Sequence, residues 1–120
     1  MDGRIFYLRK IILENIRHDW TVEQLAAQID VSASYLQKLF KTETGMPPMS
    51  YVHNLRLEKA RELLETGDWF YRISEVGYQV GLPDGSHFAR DFKKKFGKTP
   101  TEYRKQFWEK IQADNQTGEK

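Results

Sequence analysis

From residue 32 onward the chain repeats itself at a spacing of 52. Ser34 matches Ser86, Leu36 matches Phe88, Lys38 matches Arg90 and Phe40 matches Phe92. Lys41 and Lys93, Gly45 and Gly97, Pro48 and Pro100, and Tyr51 and Tyr103 continue the register. Upstream the spacing is 51, pairing Val22 with Ile73, Leu25 with Val76, Ile29 with Val80, Asp30 with Gly81 and Val31 with Leu82. One inserted residue within Leu82-Pro83-Asp84-Gly85 absorbs the difference. An ordered register of this length means that one small unit occurs twice, and any fold for the chain must accommodate both copies.

The apolar periodicity inside each copy is helical. In the first, Thr21 and Gln24 have the spacing of a capping box, ahead of a short helix Val22–Ile29 that buries Val22, Leu25, Ala26 and Ile29. After the connector Asp30-Val31-Ser32, Ser32 is placed to cap a helix Ala33–Thr44, with Leu36, Leu39 and Phe40 facing inward and Gly45 as its stop. Small Ala26 and Ala27 allow the close crossing that two helices on a short turn require, and the pair describes a helix-turn-helix. The second copy predicts helices Arg72–Val80 and Ser86–Phe96. There Gly81 supplies the positive φ of the turn more freely than Asp30, and Asp84 caps the second helix. Thr99, Pro100 and Glu102 then open a final short helix packed through Tyr103, Phe107 and Trp108.

Two further helices complete an all-α chain of about seven. Arg4–Arg17 carries a stripe of Ile5, Leu8, Ile12 and Ile16, broadened by Phe6, Ile11 and Leu13, before His18-Asp19-Trp20 breaks the pattern. Met49–Thr66 joins the two copies, with Val52, Leu55, Leu57, Ala60, Leu63 and Leu64 apolar and an expected Glu58–Arg61 pair at i,i+3. Gly67 is its expected stop. At 1.5 Å per residue this linker helix is about 27 Å long. The expected organisation is a first unit over 4–47, the linker over 48–67, a second unit over 68–112 and a flexible polar tail over 113–120.

Charge distribution points to an anionic partner. Residues 81–108 hold seven lysines and arginines against three acidic side chains, whereas residues 21–45 hold two against three. With no cysteine there is neither a disulfide framework nor a thiolate metal site, which fits a cytoplasmic location. No apolar run is long enough for a membrane span, and the N-terminus lacks a signal-peptide pattern. His18, His53 and His87 lie on different elements without metal-ligand spacing, so no metal or other cofactor is expected. Asp84, Ser86 and His87 are near neighbours in sequence, unlike a hydrolytic triad assembled from distinct elements, and no glycine-rich phosphate loop follows a strand. An enzyme is not expected. The abrupt Met1-Asp2-Gly3 start suits a piece of a longer protein.

The outward residues suit a duplex. A helix in the major groove presents polar side chains near its N-terminal turns and cations at its flanks. The first copy offers Ala33, Ser34, Gln37, Lys38 and Lys41; the second offers Gly85, Ser86, His87, Arg90 and Asp91, then Lys93 and Lys94. Glutamine fits adenine N6/N7, while lysine and arginine fit guanine O6/N7, which makes Arg90 the strongest single base-reading candidate. Lys41, Lys93 and Lys94 are phosphate candidates. Successive major grooves on one DNA face lie roughly 34 Å apart, compatible with the linker's length. A helical interaction module that has lost DNA affinity is the alternative. Non-specific single-strand binding lacks an exposed aromatic platform.

The run ISEVGYQVGLPDGSHFARDFKKKFGKTPTEYRK, Ile73–Lys105, resembles a signature that opens I-x-x-V/I-A-x-x-V-G-F and closes F-x-x-x-F-K-x-x-x-G-x-T-P-x-x-Y-R. LFKTETGMPPMSYVHNLRLEKARELL, Leu39–Leu64, is similar to the first unit and linker of the same family, the AraC/XylS transcription regulators. The resemblance covers Thr21–Arg104 closely and implies a seven-helix domain binding an asymmetric DNA site as one chain. It puts the base-reading positions on Ser34, Gln37, Lys38, Ser86, His87 and Arg90. It also implies a sensor region elsewhere, through which any dimerisation would run, and RNA polymerase as a further partner. Three departures stand out: Gly77 for the usual alanine, at about 1 kcal/mol of helix propensity; Leu82-Pro83 for the usual phenylalanine and polar residue; and Pro47 where the second copy has Thr99.

Overall fold

The computed structural model describes residues 2–66 and 72–118, with side chains in the last helix as far as Asn115. Seven helices are present among the described residues: α1 (Gly3–Glu14), α2 (Val22–Gln28), α3 (Ala33–Thr44), α4 (Pro48–Thr66), α5 (Ile73–Gln79), α6 (Gly85–Phe96) and α7 (Pro100–Gly118). They form two compact units, Met1–Arg56 and Leu57–Lys120, whose boundary falls inside α4. The expected helix stop at Gly67 lies outside the described residues.

The repeat is reproduced in the backbone. α2 and α5 are each 7 residues and start 51 apart; α3 and α6 are each 12 residues and start 52 apart. Each turn contains one left-handed residue, Asp30 (φ 57°) in the first and Gly81 (φ 84°) in the second. Asp30 adopts the conformation despite its Cβ, as aspartate does more readily than most residues. In each turn an amide reaches back to the preceding helix: Val31 N–H to the Ala26 carbonyl at 3.1 Å, and Leu82 N–H to the Gly77 carbonyl at 2.7 Å. The inserted residue of the second turn lies between Leu82 and the Asp84 cap. Gly45 and Gly97 close α3 and α6 in the left-handed region at φ 80° and 84°.

In the first unit Ile5, Leu8 and Ile12 of α1 are fully buried and join Trp20, Leu25, Ala26, Leu36, Leu39, Phe40, Val52 and Leu55 in one core. The buried stripe of α1 is narrower than expected. Phe6 is 58% exposed and falls outside it, whereas Ile11, Leu13 and Ile16 pack partly buried against the core. α1 also ends at Glu14, short of Arg17. Asn15 leaves helical geometry, donates its backbone N–H to the Ile11 and Ile12 carbonyls, and accepts from Trp20 Nε1 at 3.1 Å. Arg56 braces the following turn by donating to the Ile16 carbonyl at 3.0 Å and the His18 carbonyl at 2.5 Å. Its half-burial pulls its pKa below the usual arginine value.

The second unit buries Leu57, Ala60 and Leu64 of α4 with Val76, Val80, Phe88 and Phe92. The aromatic pairing is repeated with the register: Phe40 meets Tyr51 edge-on at 5.2 Å, and Phe92 meets Tyr103 edge-on at 5.8 Å. Such contacts add about 0.5–1.5 kcal/mol beyond burial. Tyr103 donates its hydroxyl to Glu65, and Trp108 Nε1 donates to the Leu64 carbonyl at 3.1 Å near the end of α4. Glu58 pairs with Lys95 at 3.7 Å in place of the expected Arg61, whose guanidinium lies 4.9 Å from the Phe96 ring centre. α7 continues to Gly118, through the stretch expected as a tail from Ala113. Polar residues do not stop a helix by themselves, and no glycine or proline follows Pro100 until that point.

Candidate nucleic-acid interface

α3 and α6 are each started by a side-chain cap that fixes where the first turn points. Ser32 Oγ accepts from the Tyr35 amide at 3.1 Å, and Asp84 Oδ1 accepts from the His87 amide at 3.1 Å. That amide hydrogen bond is the main reason the Asp84 carboxyl is held below the usual carboxylate range. After α6, Thr99 and Glu102 form the expected reciprocal box: the Thr99 N–H reaches Glu102 at 2.9 Å and the Glu102 N–H reaches Thr99 Oγ1 at 3.2 Å. The Glu102 pKa is lowered, first by that Thr99 amide. Pro47 stands at the matching position before α4, and there the carbonyl alone accepts from Tyr51 N–H at 3.1 Å.

In the first unit, Ser34, Gln37, Lys38 and Lys41 are all exposed and line one open depression of about 350 Å³ together with Pro47. The structure therefore brings the three base-reading candidates and the phosphate candidate of this unit onto a single surface. Tyr35, which sequence periodicity left unassigned, sits beside Arg4: the guanidinium lies 5.5 Å from its ring centre and donates to its hydroxyl at 3.2 Å. No local pattern signals this contact, since the partners are on different helices.

In the second unit Ser86, His87, Arg90, Lys93 and Lys94 are exposed, while Ala33 in the first copy and Asp91 in the second are partly covered. Arg90 Nε lies 3.5 Å from Asp91 Oδ1, with the arginine side chain 68% exposed. Such a contact is weak and readily exchanged for a better acceptor. His87 Nδ1 lies 3.3 Å from Asp84 Oδ2. Of the three consecutive lysines, Lys95 is drawn into the fold by Glu58 and by the Phe96 ring at 5.5 Å. The Lys93 and Lys94 ammonium groups remain at the solvent face. Among the described residues no cluster of His, Asp and Glu could hold a metal ion, and no helix is long and apolar enough to cross a membrane.

The helix-turn-helix domain family matches residues 25–106 of this chain. The chain belongs to the AraC/XylS family. It is this family's DNA-binding domain, and the family is one of transcription regulators. It is 31% identical over 103 residues to the HTH-type transcriptional activator RhaS of Salmonella schwarzengrund, covering 86% of this chain and 36% of that protein. It is 29% identical over 106 residues to the HTH-type transcriptional regulator MtrA of Neisseria gonorrhoeae, covering 88% of this chain and 34% of that protein. The chain thus spans about a third of the length of these curated relatives. An AraC-type regulator from Chromobacterium violaceum superposes with a TM-score of 0.81 at 30% identity, over 88% of this chain and 92% of that one. The DNA-binding domain of AdpA, solved in complex with a target DNA, superposes with a TM-score of 0.78 at 27% identity, over 87% of this chain and 92% of its own. As an AraC/XylS domain the chain has the expected all-α fold, and these relatives do not favour the interaction-module alternative.

Proposed function

We propose that this AraC/XylS domain recognises a specific duplex sequence through α3 and α6, each entering a major groove, as the DNA-binding part of a bacterial transcription regulator. Ser34, Gln37 and Lys38 read base edges in one half-site, and Ser86, His87 and Arg90 read them in the other. Lys41, Lys93 and Lys94 neutralise phosphates and set the register of the domain on the backbone. The observation that carries this reading is the match between the two copies: helices of the same length, capped at the same position, expose polar and basic residues at the same offsets.

The chemistry follows from the donor and acceptor inventory. The Gln37 carboxamide offers a paired donor and acceptor to adenine, and Lys38 offers donors to guanine or to a phosphate. Arg90 exchanges its contact with Asp91 for the two guanine acceptors, a fork geometry that lysine lacks. No cofactor takes part. The domain acts from the cytoplasm as a monomer, with RNA polymerase as a second partner and any dimerisation lying in a region outside this chain.

Selection from a random duplex library of about 30 base pairs tests the reading. The expected outcome is a bipartite motif with centres about ten base pairs apart. A single short motif would leave only one reading helix, and no enrichment would reject specific binding by this chain.

A further inference from the structure

The start of α1 is fastened to α3 at two places, Tyr35 and Glu43. Asp2 donates its backbone N–H to Glu43 Oε1 at 2.7 Å, near the end of α3. Its carboxylate grips Arg4 through both oxygens, Oδ1 accepting from Nε at 3.1 Å and Oδ2 from Nη2 at 2.9 Å. Nη2 also donates to the Tyr35 hydroxyl at 3.2 Å, and the guanidinium lies 5.5 Å from the centre of the Tyr35 ring. Tyr35 nevertheless stays 44% exposed, on the first turn of α3. A surface aromatic is thus held by both its ring and its hydroxyl, through a guanidinium that is itself fixed.

A guanidinium carries donors and no acceptor, so the Tyr35 oxygen accepts from Arg4 and its own hydrogen points elsewhere. Among the described residues that hydrogen meets no acceptor. Accepting from a cation also polarises the hydroxyl and strengthens it as a donor. On a helix that turns about 100° per residue, Tyr35 lies about 60° round from Lys38 and about 100° from Ser34. It therefore flanks the open surface that those two residues line with Gln37. We propose that Tyr35 donates its hydroxyl to a backbone phosphate at the edge of the groove entered by α3, with Arg4 as a positioning residue that acts through it. This rests on the reading of α3 as a groove helix. Phosphate oxygens only accept, and tyrosine hydroxyls are among the groups that bind them. The Arg4 charge is taken up by Asp2, so the hydroxyl and not the guanidinium makes the contact. At the matching position the cation-rich second unit has His87. The unit with fewer cations thus gains a phosphate contact that releases no counterion.

The test titrates the selected duplex and its single-base variants, at several salt concentrations, with the unsubstituted chain and with Tyr35→Phe, which keeps the ring and removes only the hydroxyl. Affinity should fall about threefold to tenfold on every duplex, as for the loss of one hydrogen bond. The slope of log affinity against log salt should stay the same, because a neutral donor displaces no counterion. Arg4→Met should cause a similar fall, and none beyond it when added to Tyr35→Phe, since both substitutions remove one contact. Urea midpoints of each variant report the integrity of the first unit. Unchanged affinity in Tyr35→Phe overturns the proposal, and so does a loss confined to the preference at one base pair, which would make Tyr35 a base contact. A loss that tracks a lowered urea midpoint overturns it in favour of a role in the fold. An additive loss with a shallower salt slope in Arg4→Met overturns the positioning role and puts Arg4 itself on a phosphate. Each of these leaves the DNA reading standing, whereas failure of the unsubstituted chain to select any duplex overturns that reading itself.

Discussion

Leu82 donates its amide to the Gly77 carbonyl at 2.7 Å, and its own carbonyl comes back to within 2.7 Å of the point where a side chain on Gly77 would begin. Phe88 closes the other side, 3.0 Å from that point. The glycine is therefore required by the turn, and its cost in helix propensity is offset by the approach it permits.

Gly77→Ala should destabilise the domain by about 1–3 kcal/mol, although alanine is the better helix former, because backbone or a buried ring must move. Ala26→Gly at the matching position of the first unit should cost only about 1 kcal/mol, the propensity difference. Urea unfolding of both variants checks this. A Gly77→Ala protein as stable as the parent would show that the turn yields freely.

Alkaline stability should carry the signature of Tyr103. Burial, followed by the hydrogen bond to Glu65, raises its phenol from 10.0 to about 12. A raised folded-state value favours the protonated form, so the contribution is complete below pH 10 and fades as pH climbs toward about 12. Tyr103→Phe should flatten that part of the curve. Parallel losses in parent and variant, read from denaturation midpoints across the window, would assign the alkaline decline to other groups.

Arg90→Ala should cost about 1–3 kcal/mol in binding and relax the preference at one base pair of the second half-site. Titration of the parent site and its single-base variants separates this from a phosphate role, which would give equal losses on every sequence.

Lys93→Ala and Lys94→Ala should weaken binding to all sequences alike and lower the slope of log affinity against log salt by about one unit each. Lys95→Ala should leave that slope unaltered, since its ammonium is held by Glu58. An unchanged slope in the first two variants would take them out of the contact surface.

Much of this architecture was legible before any coordinates, because its determinants are local. A serine or aspartate before a helix, a glycine after it and an apolar residue every third or fourth position act within a single turn, so α3 and α6 were bounded to within a residue by Ser32, Asp84, Gly45 and Gly97. What escaped involves partners distant in sequence. Asn15 ends α1 where Trp20 binds its carbonyl and Arg56 supports the turn that follows, and periodicity alone cannot register either contact. Glu58 chooses Lys95 over Arg61 because α6 brings a cation to it. The exposure of Phe6 and the need for glycine at position 77 likewise depend on what packs nearby. The exposed residues of α3 and α6 were readable as a set, whereas the packing of Arg4 on Tyr35 was not.

The boundary between the units falls between Arg56 and Leu57, within one uninterrupted helix that supplies Val52 and Leu55 to one core and Leu57, Ala60 and Leu64 to the other. A chain severed there would leave each fragment with a raw helix end, its amides or carbonyls stripped of partners. The two copies are thus not interchangeable cassettes. Their exposed surfaces are free to diverge by point substitution, but recombination cannot trade one copy for another without rebuilding the helix that both depend on.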